Sequence, residues 1–153
     1  MNLKNGENTV GMIRDIMQKY GKASVVYRAH VANKGWLPEV HDGQTAGTTG
    51  EARRMEAVEI RLENVPESVS VFYRAHVAGE GWLPEVHDGQ TAGTTGEARQ
   101  MEAVQIRTTG GFCTLEYRVH MAEKGWSPWS RNGETAGTTG EGRRIEAVEI
   151  RLA

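Results

Sequence analysis

Three tryptophans, Trp36, Trp82 and Trp126, each follow a glycine at the end of a short turn, and Trp129 stands three residues beyond the last of them. The C–H face of a pyranose ring is apolar and stacks on aromatic rings, so these residues could offer platforms to a sugar. The plain alternative for the first three is core packing, because tryptophan is highly buried on average and the chain is poor in other large apolar groups. Trp129 replaces Glu39 and Glu85 of the equivalent segments, so a shared core does not require it, and it is the better platform candidate. A polar loop follows each GW pair, HDGQTAGTTG in the first instance. Asp42, Asp88 and Asn132 stand at its entrance, where a carboxylate or amide could hold two sugar hydroxyls. Arg131 adds a cation, and Thr48, Thr94 and Thr138 add hydroxyls. Asp-Gly and Asn-Gly are also ordinary turn dipeptides, and the turn reading is the safer one for Asp42.

His30, His76 and His120 recur with Glu56, Glu102 and Glu146. Such pairs can serve acid–base catalysis or metal binding, but catalysis gains nothing from a threefold duplicate. A hydrogen-bonded pair locking two strands together accounts for them, since a buried ionisable group is tolerated when partnered. His41-Asp42 and His87-Asp88 resemble half of a metal site, yet the third segment has Arg131-Asn132 there. The glycine-rich loop lacks the Gly-Lys-Ser/Thr of a phosphate loop. The Arg53/Arg54 pair reads as solvated. No catalytic residue, metal or cofactor is expected.

The elements that must position these residues come in three copies. Tyr27–Leu62 and Tyr73–Thr108 differ at only 5 of 36 positions, and Tyr117–Leu152 keeps the same frame. The offsets between the leading tyrosines, 46 and 44 residues, mark one supersecondary unit repeated, each too small to bury its own apolar face. Within a copy, SVVYRAHVA alternates with Val25, Tyr27, Ala29 and Val31 on one face, and RMEAVEIRL closes the unit with Val58, Ile60 and Leu62 inward. Pro38 marks an edge or a bulge, and Met55, Met101 and Ile145 read as core.

Three such units predict an all-β, closed, pseudo-threefold domain over residues 24–153, with repeats at about 24–64, 70–109 and 112–153. A β-trefoil, a six-stranded barrel capped by hairpins, is the first expectation; a β-prism of three sheets is the alternative. Both remove exposed sheet edges. Residues 1–23 form a separate N-terminal segment. Within it, TVGMIRDIMQKY (9–20) has apolar residues at helical spacing, and reads as a linker helix packed on the repeats or as an oligomerisation helix for a homo-oligomer.

Composition narrows the function. Eighteen Lys+Arg balance twenty Asp+Glu, without the basic stripe a nucleic-acid-binding surface needs. No run approaches the ~18 apolar residues of a membrane-spanning helix. Cys113 is the single cysteine, so no intrachain disulfide can form. MNLKNGENTV has no apolar core of a secretory signal.

The string GW-x6-G-x-T-A-G-T-T-G-x3-R-x-E-A-V-x-I resembles the clostridial hydrophobic repeat with a tryptophan, the ChW repeat, over about 110 of the 153 residues. The family commonly has a second aromatic three residues after GW; here Trp129 supplies it, with Glu39 and Glu85 in the other copies. The resemblance implies a Gram-positive surface protein or the wall-binding part of a bacterial or phage lytic enzyme. It implies a cell-wall glycan or peptidoglycan as partner, with an upstream catalytic domain or a full-length endolysin or autolysin. It also implies an extracellular or wall location reached by secretion in a longer protein or by lysis. A protein-interaction module on the bacterial surface is the alternative.

Overall fold

A computed structural model describes residues 22–153; the helix expected over 9–20 lies outside the described residues. Copy one contributes β1 (Ser24–Val31), β2 (Gly35–Trp36), β3 (Val40–His41), β4 (Thr45–Gly47) and β5 (Met55–Glu63). Copy two repeats the series as β6 (Val71–Val77), β7 (Gly81–Trp82), β8 (Val86–His87), β9 (Thr91–Gly93) and β10 (Met101–Thr108). Copy three does so as β11 (Leu115–Met121), β12 (Gly125–Trp126), β13 (Ser130–Arg131), β14 (Thr135–Gly137) and β15 (Ile145–Leu152). Among the described residues every element is a strand.

The first and last strands of each copy pair antiparallel, and the two short strands after the turn both line the outer edge of the first. The step between those short strands is a local bulge: Trp36 lies opposite His30 and Val40 opposite Tyr27, so three edge residues face two on β1. Pro38, which has no N–H to give a ladder, sits in that bulge.

The fourth strand of each copy leaves its own sheet. β9 pairs with β5 of copy one, β14 with β10 of copy two, and β4 with β15 of copy three. Each sheet is therefore completed by three residues of the next copy, and the exchange closes in a ring. Further along the same edge the ladder gives way to two bonds per junction. The Ile60 N–H is accepted by the Tyr73 hydroxyl at 3.0 Å, and the Ile60 carbonyl takes the Gly89 N–H at 2.7 Å. Among the described residues, the middle of each last strand is thus covered on its outer edge, which limits its use as a template for another chain.

The result is three five-stranded sheets, not one hydrogen-bonded six-stranded barrel, so the trefoil expectation is not confirmed. The physical reason is that side-chain and turn contacts, not a strand-to-strand ladder, connect β5 to β6 and β10 to β11. Alternation along the first strands buries every second residue, as in VFYRAHV of β6. The inward faces meet in one core, whose largest fully buried side chains include Tyr27, Tyr73, Tyr117, Met55, Met101 and Ile145.

The exchange explains the invariant TAG. A Cβ on Gly47 would stand 2.8 Å from the Ala147 Cα, and Gly47 has φ 103°. Gly93 and Gly137 are in the same position against Ala57 and Ala103. Only glycine permits this backbone approach.

Candidate functional site

The outer face of each sheet carries the polar groups. A register shift at the start of β5 sets His30 opposite Ala57 and Val31 opposite Met55, so Glu56 is the extra residue of a β-bulge. The bulge aims the Glu56 side chain at His30, whose Nδ1 lies 3.0 Å from Oε1, while Arg54 holds Oε2. The Glu56 carbonyl is turned to the Thr94 N–H of copy two, at 3.0 Å. Glu102 with His76, and Glu146 with His120, repeat this at 3.1 Å. The His–Glu pairs thus join first strand to last, as the sequence implied. The Arg53/Arg54 pair is not merely solvated: Arg53 bonds the Ala32 carbonyl at 3.1 Å and Arg54 pairs with the buried Glu56. Leaving that carboxylate without partners would be costly.

The three tryptophans are not core residues. Trp36, Trp82 and Trp126 are half-buried on the outer face. The cause is their place on the edge strand, cross-strand from an outward histidine: His30 packs edge-on against Trp36 with ring centroids 5.2 Å apart. The Arg28 guanidinium lies over the Trp36 ring at 4.6 Å, with Arg74 over Trp82 and Arg118 over Trp126 at 4.6 and 4.7 Å. Each tryptophan thus already has a cation on its ring.

From the tryptophan a polar row runs across the sheet into the next copy. Arg28 faces Glu59 across the ladder and bonds it at 2.8 Å; Thr91 of copy two donates to the same carboxylate at 2.6 Å. In copy three, Arg118, Glu149 and Thr45 of copy one form the equivalent row. In copy two, Gln105 takes the carboxylate's place, accepting from Arg74 and donating to Thr135, both at 2.8 Å.

Beside the rows of copies one and two lies a cleft bounded by the last strand and the turn of the next copy. In copy two it encloses about 560 Å³ between Arg74, Trp82, Glu85, Gln105, Arg107 and Gly133. The corresponding space in copy one, between Arg28, Glu39, Glu59, Arg61 and Gly89, is about 100 Å³. Arg107 binds Glu85 in a two-pronged pair at 2.8 and 2.9 Å, which holds that carboxyl below the usual carboxylate range. Arg61 holds Glu39 in the same way. In copy three, Trp129 occupies the position of these glutamates, with Arg151 3.8 Å and Arg118 4.7 Å from its ring centroid. Released from a glutamate, Arg151 pairs with Glu116, as does Arg131.

The loop residues divide differently. Asp42 and Asp88 are turn residues with φ 41° and 42°, and each accepts the N–H that opens its first strand, from Val25 and Val71 at 2.9 Å. Burial works against the Asp42 charge, but bonds from Ser24 and Val25 outweigh it and keep its carboxyl below the ordinary value. Asn132 accepts from Leu115 in the same role. Thr48, Thr94 and Thr138 have buried hydroxyls without a hydrogen-bonding partner among the described residues. The strand exchange carries each of them to the neighbouring copy: the Thr48 N–H binds the Glu146 carbonyl of copy three at 3.1 Å. The structure therefore separates Thr48 from Trp36 and joins it to the sheet of Trp126. The alternation of β1, which puts Arg28 and His30 on one outward face, makes that face the sequence's alternative place for a site; the sequence does not single out Arg74, Gln105 or Arg107.

Three tandem units, completed by exchanged strands and carrying a repeated arginine–tryptophan row on their outer faces, define a tandem-repeat all-β protein. The sequence model described as ChW, Clostridial hydrophobic W, matches residues 30–64, 76–110 and 120–153, and the chain belongs to that family. Comparison with curated proteins and with solved structures gives no match.

Proposed function

We propose that this chain is a non-catalytic binding module of the bacterial cell surface, which attaches to a Gram-positive wall glycan or peptidoglycan and brings a lytic enzyme, an endolysin or autolysin, to it. The observation that carries the reading is the recurrence, at every junction between copies, of a tryptophan capped by arginine beside a polar row. One rigid body presenting related arginine–tryptophan faces from its three copies suits a repetitive polymer. Weak single contacts linked in this way raise avidity by ~10²–10⁴. Family membership supports a surface role, and the His–Glu pairs are engaged as strand ties. The site of action is extracellular. The test is sedimentation with intact Gram-positive cells together with zymography on their walls. The module should sediment with the cells and leave no clearing zone; clearing by this chain alone overturns the non-catalytic reading.

A further inference from the structure

The three outer faces differ in charge, and the residue opposite the tryptophan-capping arginine makes the largest difference. In copies one and three the arginine over the tryptophan is neutralised across the ladder, Arg28 by Glu59 and Arg118 by Glu149, both at 2.8 Å. In copy two the same position is Gln105, a neutral amide that accepts from Arg74 at 2.8 Å. Among the described residues Arg74 has no ion pair, whereas its two counterparts do. It is nevertheless held in place, by Gln105 on one side and by the Trp82 ring at 4.6 Å. The cleft beside it, about 560 Å³, is also the roomier of the two compared above, and its second arginine, Arg107, faces one carboxylate, Glu85. Arg61 of copy one faces both Glu39 and Glu63.

We infer that the cleft of copy two, formed by Arg74, Trp82, Gln105, Arg107 and the Glu85 that Arg107 binds, takes an anionic group, a carboxylate or a phosphate, borne on a saccharide or polyol, at Arg74. This names the ligand chemistry of one cleft and rests on the wall-binding reading above. Arg74 supplies a planar donor fork, fixed in advance by the Trp82 ring, which suits a two-oxygen acceptor. The Gln105 amide satisfies the Arg74 hydrogen bond without an ion pair across the ladder, so an incoming anion meets a partly desolvated cation with no carboxylate bonded to it. In copies one and three the glutamate already occupies the acceptor position, and an anion there would have to displace it.

The test is an NMR titration of the intact protein, following the Arg74 Nε–H and Gly133 amide signals. The probes are glucuronate, glycerol 3-phosphate and neutral methyl glucoside. At least one anion should shift both signals saturably, methyl glucoside should not, and the anion that binds distinguishes a carboxylate source from a phosphate source. Gln105→Glu should weaken that binding ~10-fold or more, and Glu59→Gln should create a second response at Arg28 and Gly89. Both variants are safe for folding, because the fold already carries Glu at this position in copies one and three and Gln in copy two. Equal binding by wild type and Gln105→Glu, or no shift with either anion, overturns the inference. If walls are bound but neither anion shifts Arg74, this inference fails and the wall reading stands. If the anion binds Arg74 but walls are not bound, the wall reading fails instead.

Discussion

The Tyr27 hydroxyl accepts the main-chain N–H of Ile150 at 3.0 Å, joining the first strand of the domain to its last. The same hydroxyl donates to the Gln44 carbonyl, so one buried oxygen ties a strand, its own copy's turn and the neighbouring copy. Tyr73 and Tyr117 do this for Ile60 and Ile106, and the bond to Ile150 joins the β4–β15 ladder in closing the ring.

Tyr27→Phe removes the hydroxyl and keeps the ring, leaving a buried N–H and carbonyl without that partner. A loss of about 1–3 kcal/mol is expected. Urea denaturation checks it; an unchanged midpoint would mean that the hydroxyl adds nothing to the closure made by the β4–β15 ladder and by packing.

The same three hydroxyls predict alkaline sensitivity. Burial pushes Tyr27, Tyr73 and Tyr117 from 10.0 up to about 12. A group whose folded pKa is raised contributes stability that is full below its unfolded value and lost as pH rises through the folded one. Stability should therefore fall from about pH 10 and be lost toward pH 12. Absorbance titration should show these tyrosines ionising together with unfolding, in place of an ordinary transition near 10.

Much of this architecture is legible in the sequence, for definite reasons. Tyr27, Ala29 and Val31 alternate cleanly because one face of β1 is core, and Asp42-Gly43 is a turn signal wherever it occurs. The His30–Glu56 tie follows from its threefold recurrence. The strand exchange is not legible: TAG is identical in all three copies, so nothing local says whether Thr45–Gly47 completes its own sheet or that of copy three. Trefoil and three-sheet arrangements share the pairing of first and last strands, and they part only at the junctions, where a tyrosine hydroxyl stands in for a ladder. The tryptophans were misplaced because size argues for the core, whereas the outward Arg28 and His30 supply partners that let Trp36 rest half-buried on the surface.

Because every last strand is completed by the next copy, deletion of residues 109–153 removes the partner of β4 and strips β14 from β10. A lone ~40-residue β unit lacks the buried area to fold without disulfide or metal, and two copies with open junctions share that deficit. The truncated chain should be insoluble or lack a cooperative thermal transition. A soluble product that melts sharply would contradict the closed ring.

Trp129 is predicted to act mainly as a packing residue of the outer face of copy three, engaged by Arg118 and Arg151. Trp129→Ala should cost about 1–2 kcal/mol through the two lost cation–π contacts. It should change wall binding less than about twofold, because Arg118 and Arg151 already occupy the ring. A large loss of binding with unaltered stability would instead make Trp129 a stacking platform for the ligand.

The central claim, that the ligand is the wall polymer itself, is tested most directly by a binding isotherm on purified Gram-positive walls before and after exhaustive protease treatment. The account predicts saturable retention with the same affinity on both preparations. Retention lost with the wall proteins would contradict it and make the ligand a surface protein.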